Sequence, residues 1–198
     1  MGLKFNLVGI SGVAGAGKDY LFQYCKYILK EDIKKVSLAD NLKADLDDFL
    51  KLKLGISAFT TDRAEKDLIR NIMVHFAKVR RIQTKGTYYT NKIQNIVTEL
   101  ILRKEVPFIT DVRFAEFEND EIVWVKKNNG CIIHVSRLDK EGKLIPPANS
   151  EEEKNDAIIL EKYSDLSFCW PTLGNLEAVI SYMETSGNKK KIIDLLCN

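Results

Sequence analysis

Apolar residues follow two patterns along this chain: short continuous runs, and longer stretches in which they recur at helical spacing. Short runs of this kind predict buried strands, whereas a period of about 3.6 residues predicts amphipathic helices. Strands that alternate with helices favour a three-layer α/β fold, in which helices cover both faces of a five-stranded parallel sheet. The predicted strands cover residues 3–10, 33–38, 106–110, 131–135 and 166–170. The predicted helices cover 18–29, 42–54, 60–85, 90–104, 115–129, a segment that begins at 150, and 176–183.

The ends of two helices are indicated by residue type. Asp40 or Asn41 should cap the second predicted helix, which should stop at Gly55. Ser150 and Glu153 have the spacing of a capping box, so a helix is expected to begin with Ser150 as its cap.

Other segments carry weaker signals. The stretch 138–149 contains charges, a glycine and two prolines, which predicts an exposed loop, and the lysine-rich stretch from 188 onward is expected to be loose. In the long helix 60–85 four residues supply the apolar positions. They are Leu68, Ile72, Val79 and Ile82.

A phosphate-binding loop is the strongest chemical signal. Two glycines stand five positions apart with a lysine directly after the second, between the first strand and the first helix. Glycines allow the backbone N–H groups to approach an anion closely, and the lysine adds charge at the start of the helix. The loop residues are Gly12, Val13, Ala14, Gly15, Ala16, Gly17 and Lys18, followed by Asp19 and Tyr20. We expect them to hold the phosphates of ATP.

Asp19 stands where such loops usually carry Ser or Thr as a magnesium ligand. Its carboxylate could hold a magnesium-bound water, cap the helix, or do both.

Further polar residues follow the ends of other predicted strands. In a parallel sheet the ligand lies at the carboxyl ends of the strands, so these residues should meet the glycine loop at one edge. Asp111 is suited to orienting magnesium-bound water or an acceptor, and Arg113 and Arg137 to neutralising a transferred phosphoryl group, beside Lys18. Asp111 could instead cap the helix that follows, and Arg137 could simply face solvent.

Composition narrows the classes of protein to which this chain could belong. A chain of 198 residues with 45% apolar content can form one sizeable core, so we expect a single domain. Lys and Arg total 30 against 28 for Asp and Glu, which gives no reason to expect nucleic acid or a membrane as partner. The four cysteines form no C-x-x-C pair and are expected to be reduced core residues. With no signal peptide or membrane span, a cytoplasmic location is expected, or the host cytoplasm if the chain is viral.

Several short motifs resemble those of bacteriophage deoxynucleoside monophosphate kinases. The loop at 10–19 is similar to that family's, which itself has Asp after the lysine, and Asp111-Val112-Arg113 resembles its Asp-Thr-Arg. Further similar segments are 38–43, 134–137, 148–151 and 174–177. The chain departs from the family at Ala148, where a histidine is expected, and at Thr172 and Leu173, where the family often has Asn and Asp near the donor base. The preferred donor base therefore stays open.

The resemblance implies a P-loop kinase fold that uses ATP and Mg²⁺, with an acceptor-binding insertion at about 40–90 and a lid at about 137–163. It also implies small nucleotides as partners and leaves a homodimer open. Implied acceptor-binding residues are Asp40, Lys43, Arg70, Tyr88, Tyr89, Asp111 and Arg113. Implied donor contacts are Thr172 and Gly174, and implied magnesium residues, through water, are Asp19 and Asp111.

Two alternatives stay open. The sequence Gly17-Lys18-Asp19-Tyr20 and the Asp-x-Arg motif also resemble animal-type phosphomevalonate kinases, whose doubly anionic acceptor could be met by a basic series. That series is Arg63, Arg70, Arg80 and Arg81. The aromatic pair at 88–89 favours an acceptor with a base. A nucleotide-binding protein without turnover is the other alternative; a GTPase is disfavoured because neither Asn-Lys pair is followed by the aspartate that reads guanine.

Overall fold

The computed structural model describes residues 3–29 and 33–197. Within these residues five strands form one sheet in the order β2-β3-β1-β4-β5, and every neighbouring pair is parallel. The strands are β1 Leu7–Ser11, β2 Ile33–Val36, β3 Val106–Val112, β4 Gly130–Leu138 and β5 Leu166–Pro171. The predicted five-stranded parallel sheet is confirmed.

Helices cover both faces of this sheet. They are α1 Lys18–Leu29, α2 Leu38–Leu54, α3 Arg63–Thr84, α4 Tyr88–Leu102, α5 Glu121–Lys127, α6 Ser150–Lys162, α7 Leu176–Thr185 and α8 Asn188–Leu196. Val8 and Ile10 of β1 pack in a core with α1, α7 and α8, whereas Leu7 packs in a second core with α2, α4, α5 and α6. This alternation along one strand produces the three layers, because successive side chains of a strand point to opposite faces. None of the helices in the described ranges combines the length and the apolar content that a membrane span requires.

The pairing at the end of β1 positions the glycine loop. Ser11 is in register with Val112 of β3 on one side and with His134 of β4 on the other. Arg113, directly after β3, and Arg137, near the end of β4, therefore lie at the same edge of the sheet as the loop, as predicted.

The helix caps differ from those predicted. α2 begins at Leu38, and its N-cap is Ser37, whose Oγ accepts the N–H of Asp40 at 3.2 Å. Asp40 and Asn41 lie inside the helix and do not cap it; Gly55 ends it with a φ of 68°, as predicted. α6 does begin at Ser150, but the cap is Asn149, whose Oδ1 accepts the N–H of Glu152 at 2.9 Å.

The predicted helix 115–129 is wrong over its first half, since α5 covers only Glu121–Lys127. The carboxylate of Asp120 accepts the N–H groups of Glu116 and Phe117, both at 2.8 Å, which holds this stretch in a tight turn. Asp120 is itself buried against Arg81 of α3 at 3.2 Å. A long-range ion pair therefore overrides a local helical pattern.

Both ends of the described chain depart from prediction. β1 begins at Leu7, and Leu3 instead forms an antiparallel bridge with Cys197. The stretch from 188 is the helix α8, with Ile192 and Leu196 buried in the core, so the expected loose tail is wrong. The lysines of this stretch obscured the helical spacing of its apolar residues, which pack against the sheet.

The apolar positions of the predicted helix 60–85 do not form the buried face of α3. The four apolar residues Leu68, Ile72, Val79 and Ile82 are exposed, and Ile69 and Arg81 are the buried positions of this helix. Ile69 packs with α2 in a small separate core, and Arg81 pairs with Asp120. α3 therefore packs through a face that carries a cation, which apolar spacing could not reveal.

Of the four cysteines, which were all expected to be core residues, only three are buried. Cys25, Cys131 and Cys197 are buried, whereas Cys169 is exposed on β5. β5 is an edge strand, and alternate side chains along it face solvent.

Candidate active site

The glycine loop lies directly on the end of β4. Gly12 has a φ of 132°, and a Cβ there would lie 2.1 Å from the carbonyl oxygen of Val135, so only glycine fits. Lys18, the first residue of α1, turns back under the loop and donates from Nζ to the carbonyl oxygens of Gly12 at 2.6 Å and Val13 at 2.8 Å. In this conformation the loop lysine is satisfied by the loop itself.

Trp170 at the end of β5 supports the same loop and was not predicted. Its Nε1 donates to the carbonyl oxygen of Ala16 at 2.8 Å, and the side chain is buried. Gly17 has a φ of 95°, and a Cβ there would approach Cζ2 of Trp170 to 2.8 Å. The second glycine is therefore required both by its backbone angle and by the indole beneath it.

Charged groups converge around Lys18. Burial, followed by the positive charge of Arg113, lowers the pKa of Lys18 to about 8, while Glu152, Asp111 and Asp156 act in the opposite direction. These groups come from β3, from the residue after it and from α6. The edge of the sheet that was predicted from the sequence therefore carries charges of both signs.

Asp111 is bound to the start of α2. Its Oδ1 accepts the N–H of Leu38 at 2.9 Å, and its Oδ2 accepts the N–H of Ala39 at 2.7 Å and the hydroxyl of Ser37 at 2.9 Å. The helix that this carboxylate caps is therefore α2, earlier in the chain, and not the helix that follows β3. Three donors fix the carboxylate between β3 and α2.

The two predicted arginines border the loop. Arg113 Nη1 lies 3.9 Å from Glu152 Oε1, with 44% of the side chain exposed. A Cβ at Gly15 would lie 3.6 Å from Arg137 Nη2, and Arg137 Nε is buried without a hydrogen-bond partner among the described residues. Arg137 therefore lies beside Gly15 of the loop, and Arg113 lies beside Glu152.

Glu121 at the start of α5 is a further buried acid that sequence reasoning missed. Its Oε2 accepts the backbone N–H of Arg113 at 2.7 Å. Burial raises the pKa of Glu121 to about 8, even though this hydrogen bond acts in the opposite direction. The side chain fixes the backbone of Arg113, and its position just inside a helix gave no sign of this contact.

A small cavity lies beside the first residue of the loop. It has a volume of about 10 Å³ and lies between residues of β1, α6 and the segments that follow β1 and β3. Its lining residues are Ser11, Gly12, Arg113, Glu152, Asp156 and Ile159. Glu152 Oε1 accepts the N–H of Ala14 at 2.9 Å, and Asp156 Oδ1 lies 2.9 Å from Nε2 of buried His134. Glu152 was not predicted, because nothing distinguishes it from the glutamates on either side.

The side chains at this edge of the sheet fit Mg²⁺ only when phosphate oxygens and water supply most of its ligands. Asp19 is 69% exposed and pairs with Lys35 at 2.6 Å. In the part of the chain that the structure describes, no group of three or more His, Cys, Asp or Glu side chains is arranged to hold a metal. Mg²⁺ typically keeps several waters and takes one or two carboxylates together with substrate phosphates, which this arrangement allows.

Tyr20, the residue after Asp19 in α1, is partly buried and packs against the core on that side of the sheet.

The aromatic pair predicted to bind the acceptor lies at the start of α4. The Tyr88 ring is contacted by Arg80 at 5.1 Å and by Lys92 at 5.0 Å, and it packs edge-to-face on Tyr89 with centroids 4.9 Å apart. Tyr89 is buried, and its hydroxyl has no hydrogen-bond partner within the described ranges. Lys92 also forms an ion pair with Asp45, which ties α4 to α2.

The other acceptor candidates are dispersed. Asp40 pairs with Lys43 at 2.9 Å on the exposed side of α2. Arg70 pairs with Asp67 of its own helix at 3.2 Å and is more than half exposed. No contact described here joins either pair to the glycine loop.

The donor-side candidates follow β5. Thr172 Oγ1 donates to the carbonyl oxygen of Leu138 at 2.7 Å, which links the segment after β5 to the start of the predicted lid. Gly174 has open space where a Cβ would stand.

Comparison with known proteins adds little to this description. No family model matches the chain, and no curated protein matches it. Among solved structures the chain is similar to a dephospho-CoA kinase from Campylobacter jejuni, with 14% sequence identity, a TM-score of 0.44, and coverage of 92% of this chain and 98% of that one. Similarity at this level supports no conclusion about activity or substrate. The assignment to an α/β P-loop kinase-like fold therefore rests on the strand order and on the glycine loop between β1 and α1.

Proposed function

We propose that this chain is an ATP-dependent kinase that transfers the γ-phosphoryl group of ATP to a nucleoside or deoxynucleoside monophosphate in the cytoplasm. The observation that carries the proposal is the position of Lys18. It begins α1 directly after the glycine loop, with Arg113 and Arg137 from the two strands flanking β1 close by. Phosphoryl transfer requires mainly such positioning and positive charge, with little covalent chemistry from the protein.

Each residue has a defined part in this proposal. Lys18 and the amides of residues 12–18 hold the donor phosphates, since backbone N–H groups and a helix N-terminus favour anions. Arg113 and Arg137 stabilise the negative charge that develops on the transferred group. Asp111 orients the acceptor side of the site from its fixed position against α2, and it contributes with Asp19 to holding water around Mg²⁺. When bound, Mg²⁺ would neutralise charge on the β- and γ-phosphates.

The acceptor base is proposed to bind in the insertion at about 40–90, beside Tyr88 and Tyr89, with Asp40, Lys43 and Arg70 nearer the entrance. The support for this placement is the pair of aromatic rings at the start of α4, which suits contact with a base. The lid at about 137–163, which includes the start of α6, closes over the donor, and Thr172 and Gly174 lie toward the donor base. Closure of such a lid would exclude water and limit hydrolysis of ATP.

A phosphomevalonate-type acceptor is less well supported. Of the four arginines that would serve a doubly anionic substrate, Arg81 is buried and paired with Asp120, Glu116 and Glu151. Arg80 stacks on the rings of Phe76 and Tyr88. Arg70 pairs with Asp67 of its own helix. Three of the four cations therefore already have partners within the protein.

An assay of ADP release tests the proposal. ATP and Mg²⁺ are supplied with each nucleoside and deoxynucleoside monophosphate, and with phosphomevalonate, in separate reactions. We expect turnover with at least one nucleoside monophosphate. Turnover with phosphomevalonate alone would identify the alternative acceptor, and ATP binding without turnover on any acceptor would indicate a nucleotide-binding protein that is not a kinase.

A further inference from the structure

The phosphate loop is occupied by a carboxylate of the protein itself. Glu152, in the first turn of α6, accepts the N–H of Ala14 through Oε1 at 2.9 Å and the N–H of Ala148 through Oε2 at 2.6 Å. Its side chain is 13% exposed, and the same Oε1 lies 3.9 Å from Nη1 of Arg113. One anionic group thus contacts a loop amide and approaches a cation that the proposed function assigns to phosphate.

A carboxylate in this position has the chemistry of a phosphate oxygen. Both are anionic acceptors, and charge-assisted hydrogen bonds from backbone N–H groups stabilise both. The cavity of about 10 Å³ beside the loop is about the volume that a single water requires, which is far too small for a phosphate group. The Ala14 N–H is therefore unavailable to a phosphate oxygen while Glu152 stays in place.

Lys18, like the Ala14 amide, is engaged in contacts within the protein. Its ammonium group donates to the carbonyl oxygens of Gly12 and Val13 and, in the part of the chain that the structure describes, to no carboxylate. A phosphate-binding lysine must point out of the loop toward the anion, so this side chain also has to turn before a nucleotide is held. Both the anion site and its principal cation are thus engaged in internal contacts.

The neighbouring residue connects the same helical turn to α3. Glu151 lies 3.3 Å from Lys78 and 3.5 Å from Arg81, measured between carboxylate oxygens and side-chain nitrogens. The first turn of α6 is therefore held from two directions, by the glycine loop and by the helix of the proposed acceptor insertion. A movement that withdraws Glu152 from the loop also disturbs the contacts to α3.

We propose that Glu152 is an internal competitor for the donor phosphates. Its carboxylate binds the glycine loop and, together with the start of α6, moves away from the loop when a nucleotide binds. This rests on the proposed function in that it takes the loop to be the phosphate site. A protein whose competent state is only a fraction of the population binds its ligand more weakly by that fraction. Removing the competing carboxylate should therefore tighten binding of the phosphates, with no new contact to them.

The variants Glu152→Gln and Glu152→Ala test this inference, with Glu153→Gln and Glu153→Ala as controls. Glu153 is exposed in the same helical turn, so its substitution removes the same formal charge from almost the same place without touching the loop. Glutamine keeps the shape and one acceptor oxygen, and thermal unfolding of each variant establishes that the chain is folded. The probes are ADP and inorganic tripolyphosphate, and the dissociation constant is measured by calorimetry. Exchange of the Ala14 amide proton is followed in the protein without nucleotide.

We expect both Glu152 variants to bind both probes at least about threefold more tightly than the wild type and the Glu153 controls, since a charge-assisted contact has been removed from the competing state. The Ala14 amide should also exchange faster in Glu152→Ala than in Glu153→Ala. If the Glu152 variants bind the probes no more tightly than the Glu153 controls, the inference is wrong while the phosphate site stands. If neither the wild type nor any variant binds either probe, the inference and the proposed function both fail.

Discussion

Trp170 donates a hydrogen bond from its indole nitrogen to the carbonyl oxygen of Ala16 at 2.8 Å, so the last strand of the sheet supports the loop that follows the first. The two residues lie 154 positions apart in the sequence. The indole also lies against Gly17, where a Cβ would approach Cζ2 to 2.8 Å. Loop and strand therefore form one unit, and the shape of the loop depends on β5.

Trp170→Phe should weaken both stability and nucleotide binding. The variant loses one buried hydrogen bond and leaves the Ala16 carbonyl without its partner, which costs about 1–2 kcal/mol in the free energy of unfolding. Urea denaturation and ADP titration measure the two effects. Trp124→Phe is the matched control, because Trp124 Nε1 donates to Gln94 at 2.8 Å in a different layer. Equal losses of ADP affinity in the two variants would contradict a specific support of the loop.

The affinity for ADP should fall as the pH rises above about 8. In the protein without nucleotide, burial and then the charge of Arg113 lower the pKa of Lys18 to about 8. Phosphate oxygens favour the protonated lysine, so above this pH binding must take up a proton and weakens by up to about tenfold per pH unit. Titrations from about pH 7 to about pH 9 measure this, and Lys18→Arg should flatten the profile because arginine stays protonated. A flat profile in the wild type would show that Lys18 is not linked to phosphate binding.

Stability should depend on pH through Glu121. Burial raises the pKa of its carboxyl from 4.5 to about 8, so across that interval the folded chain holds a proton that the unfolded chain has lost. The free energy of unfolding therefore decreases, through this group, as the pH rises from about 5 to about 8. Glu121→Gln keeps an acceptor for the Arg113 amide and removes the titration, so its stability relative to wild type should increase over the same range. Urea denaturation at several pH values measures this, with the exposed residue Glu118 changed to Gln as the control. Parallel pH profiles for wild type and Glu121→Gln would rule the assignment out.

Asp111→Asn and Arg137→Ala should each lower kcat by more than about a hundredfold, because each removes one partner in the electrostatics of phosphoryl transfer. Asp111→Asn should also lower stability, since the carboxylate holds three donors at the start of α2. Ser37→Ala separates the two roles, because it removes the N-cap of α2 and one donor to Asp111 while leaving the carboxylate. Steady-state kinetics and urea denaturation are compared for the three variants. If Ser37→Ala lowers kcat as much as Asp111→Asn does, Asp111 acts only as a cap. If Asp111→Asn and Arg137→Ala change only KM, the two residues bind substrate and do not stabilise the transfer.

The sequence predicted the features that depend on short stretches of chain. The glycine loop, the strand before it and the helix from Lys18 are local patterns, and the parallel sheet follows from strands that alternate with helices. Arg113 and Arg137 could be placed near the loop because residues after parallel strands meet at one edge.

The features that were missed depend on contacts between distant residues. Glu152 reaches Ala14 across 138 positions, and Arg81 is buried because Asp120 lies opposite it. Neither residue differs locally from an ordinary surface charge. The cap on α2 shows the same limit, since Ser37 is joined by Asp111 from β3, and helical spacing alone favoured the polar residues one turn later.

The most direct test of the account is turnover by Lys18→Ala in the ADP-release assay, with Lys26→Ala, an exposed lysine on the same helix, as the control. Within residues 3–29 and 33–197 the ammonium group of Lys18 donates only to the loop carbonyls of Gly12 and Val13, so its removal should leave the fold intact, which thermal unfolding checks. Lys18→Ala should lose turnover, whereas Lys26→Ala should turn over normally. A Lys18→Ala protein that keeps a kcat near that of the wild type would contradict the assignment of the glycine loop as the phosphate site.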